Sequence, residues 1–334
     1  MKKQLFFVAC AALALASCSE KETVEMPESA AIGFGTFVDN ATRGGELTTD
    51  NLPSFYVFGR AGENNPIFDN TPVTKSGDNW EYSPERYWEQ GKVYDFVAYA
   101  PALGEGAGTV APSTDYTKIE FTDFVQGDGD ANLDLIVANI NGVNVTDPAQ
   151  MQTQMFTFNH ILSMVKFTFE SGFGDGVTLT INDVKLNGAN SKGSYTNDTW
   201  APATPAVTSQ SYTLVAASGD DKTATVSTKA ETDGVIVIPQ TLTADAVTVT
   251  FKVKATYADG SVVAGVDGEY DVTATLPATQ AWEKGNRYNY TAVLTAENTQ
   301  DPDNPTTLHP IEFGLTSVTG WNNYSDVEGS TVGE

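Results

Sequence analysis

Apolar and polar residues alternate with a period of two along much of this chain. From Val247 to Tyr257 the odd positions read Val, Val, Phe, Val, Ala, Tyr and the even ones Thr, Thr, Lys, Lys, Thr. One face of such a segment is buried and the other wet, which predicts an antiparallel strand. Asp259-Gly260 follows directly and predicts a hairpin turn, because Gly tolerates positive φ. The same alternation recurs at Val165-Phe167-Phe169 and at Tyr288-Tyr290-Ala292-Leu294. Val235 to Ile238 is instead a continuous apolar run ending at Pro239, the pattern of a strand buried on both faces. No stretch of a dozen residues carries helical periodicity. Short strands spaced by roughly 8–12 residues predict an all-β protein built of sandwiches.

A long-range repeat sets the expected organisation. Trp88-Glu89, Gly91, Tyr94, Phe96 and Ala98 have counterparts at the same spacing in Trp282-Glu283, Gly285, Tyr288, Tyr290 and Ala292. A turn at Gly would feed a strand whose Tyr, aromatic and Ala share one side. A single recurrence at this distance predicts two similar sandwiches in tandem rather than a solenoid of short repeats. The expected units are residues 32–150 and 155–324, followed by a tail at 325–334. Breaker-rich segments at 141–154 and 298–305 mark the expected boundary and a later loop. Ile311–Phe313 and Val318–Trp321 read as two last short strands.

The N-terminus has its own pattern. Lys2-Lys3, an apolar run from Leu5 to Ala16 and small residues before Cys18 are the parts of a secretory signal peptide over 1–17. The run is shorter than the ~20 apolar residues that span a bilayer. Leu15-Ala16-Ser17-Cys18 resembles a bacterial lipoprotein signal, which implies cleavage between Ser17 and Cys18 and acylation of the Cys18 thiol. Residues 18–31 then form a lipidated tether that holds the folded part off the membrane. The two cysteines are Cys10 and Cys18, so the processed chain would have no disulfide framework and no thiolate metal site.

Charge removes further classes. The formal charge is −25, from 43 acidic and 18 basic residues, and such a field repels nucleic acid and anionic membrane surfaces. No nucleic-acid partner is expected.

Catalytic chemistry is sparse. With His160 and His309 as the two histidines, triads and His metal clusters are hard to build, and His160, beside Phe156 and Phe158 at a strand start, reads as structural. The glycine clusters at 104–108 and 172–176 lack the Lys of a phosphate loop and read as plain loops. Asp128-Gly-Asp130-Ala-Asn132-Leu-Asp134 places oxygen groups at alternate positions, as a Ca²⁺ loop does, but Leu133 and Asn139 stand where an EF-hand has Gly and Glu. A solvated turn is the favoured reading there. Neither a metal nor a cofactor is expected. Trp200, between Asp198 and Pro202, is the best candidate for an exposed ring that stacks on carbohydrate, with core packing the competing reading.

Several segments in order carry a resemblance. They are Leu-Ala-Ser-Cys18, Ile32-Gly-Phe34 before Ala41-Thr-Arg43, Phe55-Tyr-Val-Phe-Gly59, and Tyr87-Trp-Glu-Gln-Gly91 with Tyr94–Tyr99. Asp134–Ala138, His160-Ile-Leu-Ser-Met-Val-Lys-Phe167, Trp282–Gly285 with Tyr288-Asn-Tyr290, and Val318-Thr-Gly-Trp321 complete the series. Together they resemble the fimbrillin family of two-domain lipoprotein pilins and pilin-like surface proteins of Gram-negative anaerobes. The resemblance implies tandem transthyretin-like β-sandwiches, export as a lipoprotein to the cell outer membrane, and, in true pilins, polymerisation by strand exchange after proteolysis at an Arg.

Of the four arginines, Arg43 fits that cut best. It follows the first strand-like segment, Ile32 to Val38, and precedes Gly44-Gly45, so a protease can reach the Arg43–Gly44 bond. Cutting there would release the lipid and the first strand and uncover an apolar edge that invites a neighbour's strand, with Val318 to Glu334 as one donor segment. Two functions stay open at this point. One is a structural fimbrial subunit or pilin-like adhesin, not an enzyme, partnered by other fimbrial subunits and by membrane lipid through Cys18. The other is a monomeric surface lipoprotein that binds a host protein or glycan without polymerising. A surface glycoside hydrolase is a weaker third class.

Overall fold

The structure, a computed structural model, describes residues 30–38, 47–203, 209–243, 246–263, 272–277, 281–299 and 313–320. Cys18, Arg43, Gly44, His309, Trp321 and the tail at 325–334 lie outside them.

Strands make up 57% of the described chain and helix 2%. In the first half these are β1 (Phe34–Val38), β2 (Ser54–Ala61), β3 (Pro66–Ser76), β4 (Asn79–Glu81) and β5 (Lys92–Ala100). They continue with β6 (Thr109–Pro112), β7 (Ile119–Val125), β8 (Ile136–Val145) and β9 (Gln154–His160). Then come β10 (Ser163–Ser171), β11 (Val177–Asn190), β12 (Lys192–Thr196), β13 (Thr199–Pro202), β14 (Ser209–Thr213) and β15 (Lys222–Ala224). The last are β16 (Ala230–Glu231), β17 (Val235–Val237), β18 (Gln240–Thr241), β19 (Thr248–Tyr257), β20 (Val272–Thr275), β21 (Ala281–Trp282), β22 (Asn286–Leu294) and β23 (Gly314–Gly320).

A seven-stranded sheet runs β1-β9-β8-β5-β2-β3-β4. Its inward face closes over Ile32, Phe34, Phe55, Phe68, Trp88, Phe96, Phe156 and their neighbours. Sheets β16-β10-β22-β23 and β14-β11-β19-β20 enclose a second core from Val165 to Phe313. This is sandwich packing, in which alternate side chains of facing sheets fill the space between them. The predicted hairpin at Asp259-Gly260 is present, with Gly260 at φ 82° and its N–H donating to the Tyr257 carbonyl.

A third core lies between these two. The outward face of β2 and β5 contributes Phe58, Val97 and Tyr99, which join Phe121, Phe124, Ile161, Met164, Tyr195 and Trp200. Ile236 and Ile238 point into this core while Val235 and Val237 point into the second, so the apolar run at 235–238 is buried on both faces. The four-stranded sheet β13-β12-β7-β6 is assembled from both halves of the chain: Gly193 pairs with Phe124 and Tyr195 with Phe121.

Three sequence expectations are corrected by these pairings. Asn141 to Asn144, read as a break, lie inside β8, which continues through a bulge where the Gly142 N–H donates to Asp95 Oδ1. Residues 155–160, expected to open the second unit, form β9 and pair with β1 and β8 of the first sheet. The alternation of Phe156 and Phe158 fits either sheet, and only the pairing partner decides which. Near the C-terminus β23 begins at Gly314, earlier than the strand expected from Val318, while Ile311 and Glu312 lie outside the described residues.

The repeat is real at the level of local geometry. Gly91 and Gly285 both sit at positive φ, 82° and 69°. The Glu89 N–H donates to the Tyr94 hydroxyl at 2.6 Å and the Glu283 N–H to the Tyr288 hydroxyl at 2.7 Å. Their surroundings differ. β5 is antiparallel to both β2 and β8, whereas β22 is parallel to β10 and antiparallel to β23.

Candidate functional site: the seat of the first strand

β1 is an edge strand, bonded along one side to β9 in parallel register from Phe34 with Gln154 to Val38 with Phe158. Just before it, the chain bridges the segment preceding β5. The Ile32 N–H donates to the Arg86 carbonyl at 2.7 Å and the Trp88 N–H to the Ala30 carbonyl at 2.9 Å. Tyr82 closes this end: its hydroxyl donates to the Ile32 carbonyl at 2.6 Å and accepts from the Arg86 N–H at 3.2 Å. Half-burial pushes the Tyr82 phenol above its ordinary pKa, keeping it a neutral donor.

Alternation does the rest. Ile32, Phe34, Thr36 and Val38 face inward and are buried. Phe34 is the hub, with Phe68, Phe96, Phe156, Tyr82 and Phe55 at ring-centroid distances of 5.3–6.5 Å. Burying a large apolar side chain is worth about 1.5–3 kcal/mol, so Ile32, Phe34 and Val38 hold the strand far more firmly than its one-sided ladder does. Thr36 is the exception. Its hydroxyl is buried and finds no hydrogen-bond partner among the described residues. On the outward face Phe37 is exposed, and the exposed Met155 lies across Gly35.

Both ends of the 39–46 segment, which contains Arg43 and Gly44, are tied down. Thr49 Oγ1 accepts from the Val38 N–H and donates to the Val38 carbonyl, each at 2.7 Å. On the far side the Leu47 N–H donates to Asp134 Oδ2 at 2.8 Å, and Asp134 Oδ1 accepts from His160 Nδ1 at 2.9 Å. Asp134 and His160 are both buried. His160 therefore has the structural role its surroundings suggested. The roles of Thr49, Tyr82 and Asp134 escape a reading of the sequence, because Val38, Ile32 and Leu47, which they hold, lie at least 11 residues away.

The other candidates are placed elsewhere. Three of the four oxygen-bearing side chains between Asp128 and Asp134 already serve protein donors: Asp128 accepts from the Thr213 N–H, Asn132 exchanges hydrogen bonds with Ile236, and Asp134 is the anchor just described. Gly129 to Ala131 form the exposed turn expected, while Asp128, Asn132 and Asp134 on either side clasp the chain halves together. Trp200 is 8% exposed, donates its indole N–H to the Ile161 carbonyl and packs on Phe124 and Tyr195. It lines an open cleft of about 770 Å³ with Asp198, Gln240, Trp282 and Lys284, yet both indoles are buried and offer no ring face to a sugar. Arg60 is paired with Asp95 at 2.8 Å and Arg86 Nε donates to the Ile67 carbonyl, so both are held within folded structure.

Comparison with known proteins gives a consistent picture. Over 240 residues the chain is 26% identical to a fimbrium subunit of Phocaeicola vulgatus, a match that takes in 61% of this chain and 63% of that protein's length. The crystal structure of a fimbrial protein from Bacteroides vulgatus ATCC 8482 superposes with a TM-score of 0.57 at 17% identity, covering 87% of this chain and 99% of the other, so the fold is shared. Residues 41–309 match the fimbrillin-like family, and the chain belongs to that family.

Proposed function

We propose that this protein is a structural subunit of surface fimbriae, or a pilin-like adhesin, carried to the cell outer membrane as a lipoprotein on Cys18. It is organised as two sandwich units stitched by the β7–β12 pairing and the 126–134 clasp. It serves by assembly and attachment rather than catalysis, as expected of a fimbrillin-like chain. Its partners are other fimbrial subunits, with a host protein or glycan as the receptor of the assembled fibre.

One observation carries this reading: an apolar edge strand seated in an aromatic groove immediately precedes the segment that holds Arg43. A cut after Arg43 detaches Cys18 and β1 from the remaining chain. The groove then presents Phe55, Phe68, Phe96 and Phe156 to water beside the unpaired edge of β9. Such an edge recruits an extended segment from a neighbouring molecule. Electron microscopy of cells with and without the gene tests the reading. Fibres lost on deletion and restored by the wild-type gene support it. Unchanged fibres, or none in either strain, favour the monomeric surface lipoprotein.

A further inference from the structure

We propose that the cleft between the β12–β13 hairpin and the β18–β21 pair is a receptor site for a neutral oligosaccharide, held by hydrogen bonds to Asn190, Asp198, Glu283 and Lys284 rather than by ring stacking. The proposal deepens the attachment half of the reading above and places the receptor on residues that take no part in seating β1.

The walls of the cleft are fixed before any ligand arrives. On one side Thr196 pairs with Thr199, so Asn197-Asp198 is a two-residue turn with both residues at positive φ, 50° and 61°. Asn and Asp are among the few side chains that tolerate this conformation, and the turn decides where Asp198 stands. On the other side the Glu283 N–H donates to the Tyr288 hydroxyl and its carbonyl accepts from Ser163 Oγ, each at 2.7 Å. The Gln240 amide is engaged as well, accepting from the Asn190 N–H at 3.0 Å and donating to the Ile238 carbonyl at 2.9 Å. The buried Trp200 and Trp282 supply apolar lining.

A hydrogen-bonded relay sets the polarity. The Tyr195 hydroxyl donates to Asp198 Oδ1 and accepts from Lys284 Nζ, each at 3.2 Å, and the Lys284 ammonium lies 5.4 Å from the centre of the Tyr195 ring. Burial pushes the Tyr195 phenol up, so it stays a neutral donor. Desolvation works against the Asp198 carboxylate, but the Lys118 hydrogen bond and the Lys284 charge outweigh it and hold its pKa below the ordinary value. Lys118 reaches Asp198 Oδ2 at 2.9 Å. The carboxylates of Asp198 and Glu283 thus stand against the ammonium groups of Lys118 and Lys284, and the local charges balance. In a chain of formal charge −25, such a cleft favours a ligand without charge over an anion.

Unused hydrogen-bonding capacity points to what fills it. Neither the Asn190 amide nor the Glu283 carboxylate has a side-chain partner among the described residues, and Lys284 keeps donors beyond the one given to Tyr195. Carboxylate and amide oxygens accept from hydroxyls, and ammonium and amide N–H groups donate to them, so one opening offers both roles that sugar hydroxyls need. Its volume of about 770 Å³ falls within the roughly 300–1,000 Å³ of small-molecule clefts. In the first repeat Gln90 stands where Lys284 does, and its amide donates to the Thr146 carbonyl at 2.8 Å. The ammonium over a Tyr ring therefore belongs to the second copy alone.

The test applies the uncut full chain carrying Cys18→Ala to an array of neutral, sialylated and sulfated host-type oligosaccharides. A separate arm uses neutral polysaccharide from the surface of the producing cells, which distinguishes a foreign receptor from the cell's own. Asp198→Asn, Glu283→Gln and Lys284→Met are measured beside it, with Gln90→Met as the control at the equivalent place in the first repeat. Neutral members of one arm or the other should bind, and each cleft variant should weaken that binding at least about tenfold while Gln90→Met leaves it unchanged. Lys284→Met keeps an apolar stem over Tyr195, so its loss of binding is expected with an unchanged melting temperature. Binding confined to sialylated or sulfated members, or neutral binding that survives all three cleft variants, overturns the proposal and leaves attachment through another surface standing. No binding in either arm overturns the proposal together with glycan attachment, and leaves fimbrial assembly to the microscopy described above.

Discussion

Trp282 donates its indole N–H to the Tyr290 hydroxyl at 2.9 Å, with both side chains buried. At the equivalent place in the first half, Trp88 is equally buried but faces Phe96, and its indole N–H has no partner among the described residues. The two copies keep the Trp, the Gly turn and the Tyr–Glu hydrogen bond, and differ by one hydroxyl. That difference is testable. Tyr290→Phe should orphan the Trp282 N–H and lower the stability by about 1–3 kcal/mol in urea unfolding. A loss below a few tenths of a kcal/mol would mean the indole finds another acceptor.

Phe34 is expected to be the residue that seats β1. Truncation to Ala empties a site bounded by five rings, and Phe→Ala in a core costs about 3–5 kcal/mol. Hydrogen exchange at the β9 backbone, from Met155 to Phe158, should accelerate in Phe34→Ala while β19 stays protected. Uniform acceleration across both cores would show that β1 is not released locally.

Asp134 should act on the far side of the Arg43 segment. Asp134→Ala removes the acceptor of both the Leu47 N–H and His160 Nδ1, at roughly 1–3 kcal/mol for each buried group left without it. The Leu47 amide should then exchange faster than in the parent. An unchanged rate there would mean that residues beyond 46 are held by other contacts.

Alkaline pH offers a check on burial. Desolvation pushes the Tyr99 and Tyr290 phenols up from 10.0 to about 12, and an unfolded chain ionises them near 10. The unfolded state thus loses its protons first. The stabilising effect is complete below about pH 10 and disappears as pH rises towards 12. Phenolate absorbance should therefore rise in two steps, the later one coinciding with loss of the sheet signal in circular dichroism. Full ionisation near pH 10 with the sheet intact would contradict the burial of these rings.

What the sequence made legible was whatever local alternation decides. β10, β19 and β22 fall where Val165–Phe169, Val247–Tyr257 and Tyr288–Leu294 alternate, and the doubly buried run at 235–238 lies between two cores. The bulge at Gly142 and the membership of β9 in the first sheet were not legible, because both depend on partners distant along the chain. The 126–134 clasp imitates a cation loop by composition. Its oxygens turn out to serve backbone donors as distant as Ile236, and no periodicity records such a pairing. At the site, the apolar identity of Ile32, Phe34 and Val38 was readable, whereas the clamps from Thr49 and Tyr82 were not.

The central claim is that β1 is a removable strand whose loss drives assembly. Its most direct test is to treat the purified Cys18→Ala chain with an Arg-specific protease while following mass and association state together. The account predicts one cut, after Arg43, loss of the fragment that contains Ile32–Val38, and growth of oligomers from the remainder. Resistance at Arg43, or a clean cut that leaves a stable monomer, would contradict it.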